Sequence, residues 1–458
     1  MPRFISIFTL VLIAVCSSAR GALTPEQMRS FYDKIAPSLV VVQFTMEGEF
    51  GRRDLCGQGV VIGEEGVVMM SMSLVPTAIP DEQMKDFKII IPGDDEKEFD
   101  ATFLGRDERV ELAFVKTKVR QDWPAVKFED VKLNVGDEIF SVGRMTQDSG
   151  YKAYFTQAFV SAELRGPIPF YLVSPGGLAV VGSPVFNAAG KAVGVVPFQT
   201  GQTQWLNRTN TALTMLSTPP RTFIPSRDFL PSLKDMPDGR PLQIPWVGAQ
   251  LSGINKTVAE YYGLKNVPAV QVGDVIPGAP ADKAGLKRGD KIVKMNGYAL
   301  ERGDEADEIP LIFLRKIRRL KPGARVALTI LRERGRPTFE TTLVLEAQPK
   351  ASHEARRYYA DDLGMTMREV VWADTYAKRV PADTQGVVVA YVRQASSAAS
   401  AGLKVGDLVI QLNKDPISGL DDFRKHYGEF RERNPKDLVV LVVIRDQRTE
   451  VIKIEPPQ

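Results

Sequence analysis

Residues 278–293 have the sequence GAPADKAGLKRGDKIV, and this stretch decides the fold of the C-terminal half of the chain. It combines a short helix, a Gly-Leu turn, a Gly-Asp turn and the start of a strand, in that order. The same order returns 117 positions later as ASSAASAGLKVGDLVI in residues 395–410. A repeat with constant internal spacing predicts two copies of one small domain.

Both copies resemble the signature of PDZ domains in bacterial proteases. That resemblance implies binding of C-terminal peptides, which add as a strand beside a helix while an apolar-Gly-apolar loop receives the carboxylate. Glycine is needed in such a loop for close backbone approach. The candidate loops are Val247, Gly248 and Ala249 in the first domain and Leu363, Gly364 and Met365 in the second. The groove helices are predicted at residues 307–320 and 420–431. The alternative is that one or both domains serve only as packing or oligomer contacts, above all the second.

The N-terminal half contains a series of strand and loop motifs in a fixed order. Residues 35–42 (IAPSLVVV) and 56–62 (CGQGVVI) have the composition of strands, and residues 66–75 (GVVMMSMSLV), 107–116 (DERVELAFVK) and 177–195 (GLAVVGSPVFNAAGKAVGV) follow. Together they resemble the protease domain of the HtrA (Deg) family. The resemblance implies a mainly β chain with a chymotrypsin-like double β-barrel followed by two PDZ domains.

The resemblance places the catalytic histidine, aspartate and serine of the family at Ser73, Glu111 and Val181. The only histidines, His353 and His426, lie in the C-terminal half. A serine protease needs a general base to take the proton from its nucleophile, and valine has no nucleophilic atom. From the sequence we therefore predict that the chain is no enzyme but an inactive homologue of a serine endopeptidase.

Two further features of the nucleophile loop affect this prediction. The stretch 178–181 lacks the glycine and asparagine of the family, so the oxyanion hole is expected to be impaired. Ser183 is the alternative nucleophile, activated by a lysine as in Ser-Lys enzymes. We disfavour it, because no lysine stands at a position that the family marks as catalytic.

The domain boundaries follow from these motifs and from composition. We predict a signal peptide over 1–21, the protease-like domain over 22–234, a proline-rich linker over 235–245, and PDZ domains over 246–350 and 355–458. The apolar run of residues 4–15 spans about 18 Å as a helix, against about 30 Å of bilayer hydrocarbon, so no transmembrane segment is expected. The stretch before Cys16 leaves lipoprotein anchoring open as the lesser alternative.

Composition excludes several classes of function. A net charge of +3 over 458 residues gives no reason to expect nucleic acid as a partner. No cofactor is expected, and no metal, because two separate histidines and one remaining cysteine make no ligand cluster. That cysteine, Cys56, is expected to be buried beside a strand. A homotrimer could form through Phe31 and Tyr32, whose alternative role is to cap a barrel.

Three functions remain open at this stage. The favoured one is a secreted or periplasmic HtrA-like protein that binds C-terminal or unfolded peptide segments through its PDZ domains. It would act as an adaptor, a chaperone-like holdase or a regulator of an active protease paralogue. The alternatives are an active serine endopeptidase of protein quality control with an unconventional site, and an inert structural protein of the cell envelope.

Overall fold

The computed structural model of the chain describes residues 23–49, 51–93, 96–164, 166, 168–198, 221–303, 305–381 and 383–456. The predicted signal peptide and Cys16 lie outside these residues. Within them the chain forms two closed β-barrels followed by two open antiparallel sheets. The predicted mainly β architecture is confirmed.

Helix α1 (Pro25–Ile35) precedes the first barrel, and its start is fixed by a reciprocal cap. The Gln27 N–H donates to Thr24 Oγ1 at 3.2 Å, and the Thr24 N–H donates to Gln27 Oε1 at 2.9 Å. Such a capping box satisfies two backbone donors that a helix otherwise leaves open. The helix packs on the second barrel, where the Phe31 ring lies 4.9 Å from that of Phe140.

The first barrel has six strands in the order β1-β2-β3-β6-β5-β4. They are β1 (Leu39–Gly48), β2 (Gly51–Gly63), β3 (Val67–Ser71), β4 (Met84–Ile91), β5 (Lys97–Asp107) and β6 (Leu112–Thr117). Every residue of β3 is buried, because the strand has apolar neighbours on both faces. Val68 and Met70 fill the barrel interior, whereas Met69 packs with Phe140 of the second barrel. This alternation joins the two barrels through one shared core.

The second barrel has the strand order β10-β11-β12-β9-β8-β7. Its strands are β7 (Glu138–Arg144), β8 (Ala153–Leu164), β9 (Phe170–Ser174), β10 (Pro184–Asn187), β11 (Ala192–Val195) and β12 (Thr222–Pro225), and the short helix α2 (Leu230–Lys234) follows. The ring of Phe140 stacks on those of Phe155 and Phe186 at 5.0 Å and 5.2 Å. Aromatic stacking thus fixes the barrel face that meets α1.

The first PDZ domain is a sheet of order β14-β15-β16-β18-β19, in which β14 is an edge strand. Its strands are β13 (Pro245–Trp246), β14 (Ala249–Gly253), β15 (Val270–Val275), β16 (Lys291–Met295), β17 (Tyr298–Ala299), β18 (Arg325–Leu331), β19 (Phe339–Val344) and β20 (Glu346–Ala347). Its helices are α3 (Lys256–Tyr261), α4 (Pro280–Lys283) and α5 (Glu308–Arg318). Strand β13 pairs with β20, away from β14.

The second PDZ domain has the order β21-β22-β23-β24-β26-β27. Its strands are β21 (Arg357–Ala360), β22 (Met365–Glu369), β23 (Val387–Val392), β24 (Leu408–Leu412), β25 (Asp415–Pro416), β26 (Val439–Arg445) and β27 (Arg448–Ile454). Its helices are α6 (Trp372–Lys378), α7 (Ser397–Ser400) and α8 (Leu420–Arg433). Strand β22, the equivalent of β14, has a neighbour on each side. The two copies of the repeat therefore differ at the edge where a peptide would add.

Each PDZ domain contacts one barrel. Arg315 of α5 and Arg319, which directly follows the helix, both donate to the carboxylate of Asp228, which follows the second barrel. In the second PDZ domain, Arg357 Nη1 lies 3.0 Å from Glu49 Oε1 of the first barrel. The side chains of this second pair are only 14% and 5% exposed, so the contact is a well-shielded one.

Candidate active site and peptide grooves

Ser73, predicted at the place of the family's histidine, lies in a single 3₁₀ turn that follows β3. The turn forms because Ser71 caps it: its Oγ accepts the Ser73 N–H at 3.2 Å. The two hydroxyls are also bonded to each other at 2.8 Å. Ser73 is half-buried.

Glu111, predicted at the place of the family's aspartate, lies beside this turn. Its carbonyl oxygen accepts the Met72 N–H at 2.9 Å, so the two segments are joined one residue from Ser73. The preceding turn is held by Asp107, which is fully buried and accepts both the backbone and the side chain of Arg109. Glu111 has a positive φ of 57°, a conformation that non-glycine residues adopt at a cost. Burial raises the pKa of its carboxyl.

Val181 belongs to the loop between β9 and β10 and completes the convergence of the three positions. Its neighbour Gly182 packs on the Ser71 turn: a Cβ built on Gly182 would lie 3.6 Å from Ser71 N. The structure therefore brings the segments of Ser73, Glu111 and Val181 together at the junction of the barrels. The side chains of these three residues are not hydrogen-bonded to one another. Within the described residues, the Ser73 hydroxyl forms a hydrogen bond only with that of Ser71.

The backbone N–H groups of the nucleophile loop are held by side chains of the second barrel. Ala179 N–H donates to Ser141 Oγ at 2.7 Å, and Val180 N–H donates to Tyr154 Oη at 2.9 Å. Ala179 lies two residues before Val181. Both N–H groups are therefore already bonded within the second barrel, and the impaired oxyanion hole stays a prediction. The polar residues Ser141 and Tyr154 gave no signal of this in the sequence.

Ser183, the alternative nucleophile, is fully buried. Its hydroxyl accepts Gln58 Nε2–H at 2.9 Å, and within the described residues no lysine lies against it. A buried hydroxyl cannot meet a protein substrate without a large rearrangement. Ser73 is therefore the more accessible of the two serines.

A cavity of about 670 Å³ lies beside Glu111, between the second barrel and the first PDZ domain. Apolar side chains form much of its wall, among them Ile168, Phe170, Leu311 and Leu314. Its volume is within the range of ligand pockets. The cavity can accept an apolar side chain next to the Glu111 carboxyl.

The predicted carboxylate loop of the first PDZ domain lies at the end of edge strand β14. Gly248 adopts a φ of +73°, and its carbonyl oxygen accepts the Ile276 N–H at 3.0 Å. A Cβ on Gly248 would lie 2.4 Å from the Ala279 Cβ, so only glycine fits. Strand β14 faces helix α5 across the predicted groove. The helix was expected over 307–320 and extends from Glu308 to Arg318.

The corresponding loop of the second PDZ domain is already engaged by its own chain. Gly364 has a φ of +71°, as in the first domain, but its N–H donates to the Ala360 carbonyl at 3.0 Å. Leu363 and Met365 are buried on either side of it. The predicted peptide loop is thus a hairpin turn between β21 and β22.

Three smaller predictions can be compared with the structure. Cys56 was expected to be buried and is exposed, because the first half of β2 extends beyond the barrel. Phe31 and Tyr32 lie against the chain's own second barrel, where Tyr32 donates to the Ala153 carbonyl at 3.1 Å, and the homotrimer stays a prediction. The described residues contain no cluster of three or more potential metal ligands and no helix long and apolar enough to cross a membrane.

Comparisons with known proteins agree with this architecture. The model of the trypsin-like peptidase domain matches residues 57–195, and that of the PDZ domain matches residues 245–343 and 362–455. The chain is homologous to the HtrA (Deg) serine endoproteases. A relative from Marinomonas sp. (strain MWYL1), named "Probable periplasmic serine endoprotease DegP-like", is 28% identical over 82% of this chain and 74% of its own length. A relative of the same name from Pseudomonas fulva (strain 12-X) is 25% identical over 98% of this chain and 90% of its own length.

Solved HtrA structures share the fold. The HtrA-type protease AlgW with tripeptide has a TM-score of 0.54 at 17% identity, covering 71% of this chain and 98% of its own. The same protease with decapeptide has a TM-score of 0.52 at 18% identity, covering 71% of this chain and 99% of its own. The predicted succession of a trypsin-like domain and two PDZ domains is confirmed.

The names of the relatives contradict one prediction. From the missing histidine we expected that the chain is no enzyme, whereas the HtrA-family relatives are named as serine endoproteases. The expectation depended on the three replaced positions and on the absence of histidine from the N-terminal half, and it disfavoured Ser183 as an alternative nucleophile. It is wrong as judged by these names, and catalysis by an unconventional set of residues has to be considered instead.

Proposed function

We propose that the chain is a periplasmic protein of the HtrA family that binds C-terminal or unfolded peptide segments in the groove of its first PDZ domain. The observation that carries this proposal is the Gly248 loop. It combines a positive φ at Gly248, close packing on Ala279 and a place at the start of β14, an edge strand that pairs on one side only. These are the requirements for adding a peptide strand whose carboxylate meets backbone N–H groups.

The test is peptide binding by the mature full-length protein, measured by fluorescence anisotropy. A short labelled peptide that ends in valine with a free carboxylate is compared with its C-terminal amide. The free acid should bind at least about ten-fold more tightly, because hydrogen bonds to a charged group contribute about 1.5 kcal/mol or more each. Equal affinities of the acid and the amide would overturn the carboxylate loop.

A second proposal is endopeptidase activity in protein quality control, which the names of the relatives favour. Ser73 is the candidate nucleophile, because it is the more accessible serine at the junction of the barrels. Glu111 is the candidate base, because its segment is bonded to that of Ser73 and burial raises the pKa of its carboxyl. In the unliganded chain the two side chains are not bonded, so substrate has to draw them together. The cavity beside Glu111 would hold a substrate side chain.

Cleavage of an unfolded protein by wild type and single variants tests this proposal. We expect Ser73→Ala and Glu111→Gln to abolish cleavage. Gln58→Ala should leave most of it, because the Gln58 side chain bonds the buried Ser183 hydroxyl and the Arg144 N–H rather than Ser73 or Glu111. Absence of cleavage by a wild-type protein that binds the valine peptide would refute the endopeptidase proposal and leave peptide binding standing. If cleavage is lost in a folded Ser183→Ala variant but not in Ser73→Ala, Ser183 is the nucleophile and our assignment of Ser73 is wrong.

The same relatives are named periplasmic, which supports a periplasmic location for this protein. We propose that residues 1–21 are removed on export and that the mature chain begins at Ala22. N-terminal sequencing of the exported protein tests this. A lipid-modified N-terminus at Cys16 would support the lipoprotein alternative instead.

A further inference from the structure

Strand β21 lies where a peptide ligand of the second PDZ domain would lie. It pairs antiparallel with β22 along its whole length, from Arg357 opposite Arg368 to Ala360 opposite Met365. The other edge of β22 is paired with β23. Since PDZ ligands add to this edge of the sheet, the edge is already taken by the chain itself.

The Tyr358 side chain fills the groove between this edge and helix α8. Its ring lies 6.0 Å from that of Phe423 and 5.9 Å from that of Tyr427, both edge-on. The Arg424 guanidinium lies 5.8 Å from the same ring. Edge-on aromatic pairs stabilise a contact beyond the area that they bury. Tyr358 therefore occupies the groove as the side chain of a bound ligand would.

Charged pairs fix β21 at both ends of α8. At the start of the helix, Arg356 Nη2 lies 2.9 Å from Asp421 Oδ2, and its Nε donates to Glu369. Near the end of the helix, Asp362 accepts from the Tyr427 hydroxyl at 2.6 Å and from Arg431 Nε at 2.8 Å. The strand is thus held along the length of the groove.

The opposite face of β21 contacts the first barrel. Side chains alternate along a strand, so Arg357 and Tyr359 point away from α8. The Arg357 N–H donates to Glu82 Oε2 at 2.7 Å and its guanidinium pairs with Glu49. One short strand therefore contacts both the PDZ groove and the protease-like domain.

We propose that β21 is an internal ligand of the second PDZ domain and that an external segment enters this groove only by displacing it. The contacts define the external ligand: an extended internal segment with a basic residue two positions before an aromatic one, as in Arg356 and Tyr358. Displacement would also remove Arg357 from Glu49 and Glu82. Binding at this groove and docking on the first barrel are then mutually exclusive, which couples the two domains.

The proposal depends on the proposed function only in treating the second PDZ groove as a peptide site. Its test uses an acetylated, amidated and labelled peptide with the sequence of residues 355–361, added to the full-length protein. Without a free carboxylate this peptide does not report on the Gly248 loop, so a failure of either proposal can be recognised separately. A peptide with alanine at the place of Tyr358 is the ligand control.

We expect the Tyr358→Ala protein to bind the peptide at least about ten-fold more tightly than wild type, because the internal competitor is weakened. Tyr376→Ala, which removes a tyrosine from α6 on the same domain, should bind as wild type does. Arg357→Ala should also raise the affinity, because the barrel contact holds β21 in place. Equal affinity of wild type and Tyr358→Ala would overturn the internal ligand, and an unchanged affinity of Arg357→Ala would overturn the coupling.

Hydrogen exchange on the unmodified protein gives a second test that does not depend on the folding of a variant. Saturating peptide should raise exchange at residues 357–360, which lose their partner strand, while residues 365–369 stay protected by the new one. Unchanged exchange at 357–360 with bound peptide would show that the strand is not displaced.

Discussion

Replacing Gly248 by alanine is the most direct perturbation of the peptide site in the first PDZ domain. The added Cβ would lie 2.4 Å from the Ala279 Cβ, whereas carbon atoms in contact are about 3.5–4.0 Å apart. The loop must therefore move by about 1 Å or more to relieve the overlap. The left-handed conformation, with φ of +73°, adds strain of about 1–2 kcal/mol.

A displacement of about 1 Å lengthens an N–H···O bond from about 2.9 Å to beyond its useful range. Losing one charge-assisted bond to the peptide carboxylate costs about 1.5–3 kcal/mol. We therefore expect Gly248→Ala to weaken binding of the valine peptide about 10- to 100-fold, measured by fluorescence anisotropy. The variant should remain folded, with ordinary hydrogen-exchange protection in β16 and β18.

Gly278→Ala is the matched control, because Gly278 has the same φ of +73° but open space around its Cβ. It carries the same backbone strain without the overlap, so it should lose stability and keep its peptide affinity. Wild-type affinity in a folded Gly248→Ala protein would refute the steric reasoning. An equal loss of affinity in both variants would assign the effect to backbone strain rather than to the loop.

Three further predictions concern the barrels and the repeat. The triple variant Ser73→His, Glu111→Asp and Val181→Ser should cleave casein faster than wild type and faster than Val181→Ser alone. Equal cleavage by the triple and the single variant would refute the placement of the family's catalytic residues at these three positions. If Glu111 is the base, wild-type cleavage should rise with pH through a pKa above the usual carboxyl range, because the base acts when deprotonated. Glu111→Gln should remove this rise. Identical pH profiles of wild type and Glu111→Gln would exclude Glu111 as the base. Asp290→Ala should destabilise the first PDZ domain by about 1–3 kcal/mol in hydrogen exchange, since the Lys287 N–H and the Arg332 guanidinium lose a buried carboxylate. Asp274→Ala, in an exposed pair, should cost less than about 1 kcal/mol.

The repeat could be predicted from the sequence because it specifies backbone conformation. Gly285 and Gly289 both have positive φ, and so do their counterparts Gly402 and Gly406. Each Gly-Asp turn also buries its carboxylate: Asp290 and Asp407 are 1% and 2% exposed. These carboxylates bind Arg332 and Arg445. The two arginines lie outside the signature, so local spacing could not identify them.

The junction of the barrels could be predicted only in outline. The order of the motifs was enough to bring Ser73, Glu111 and Val181 to one place, because strand order fixes where their segments meet. The orientation of the loop N–H groups was not predictable, since it depends on Ser141 and Tyr154, which approach from strands distant in sequence. Tertiary hydrogen bonds of this kind leave no periodic pattern.

The sequence explains why the edge strand β14 of the first PDZ sheet lacks the extra partner strand that β22 has in the second. Before the Gly248 loop stand Pro241 and Pro245, which lack the N–H that pairing along β14 would require. Before the Gly364 loop stand residues 356–360, RRYYA, which contain no proline and two tyrosines that favour a strand. One segment is directed away to pair with β20, and the other folds back as β21 on its own groove. Within the described residues the outer edge of β14 is therefore unpaired, whereas the corresponding edge of β22 is paired with the chain's own β21.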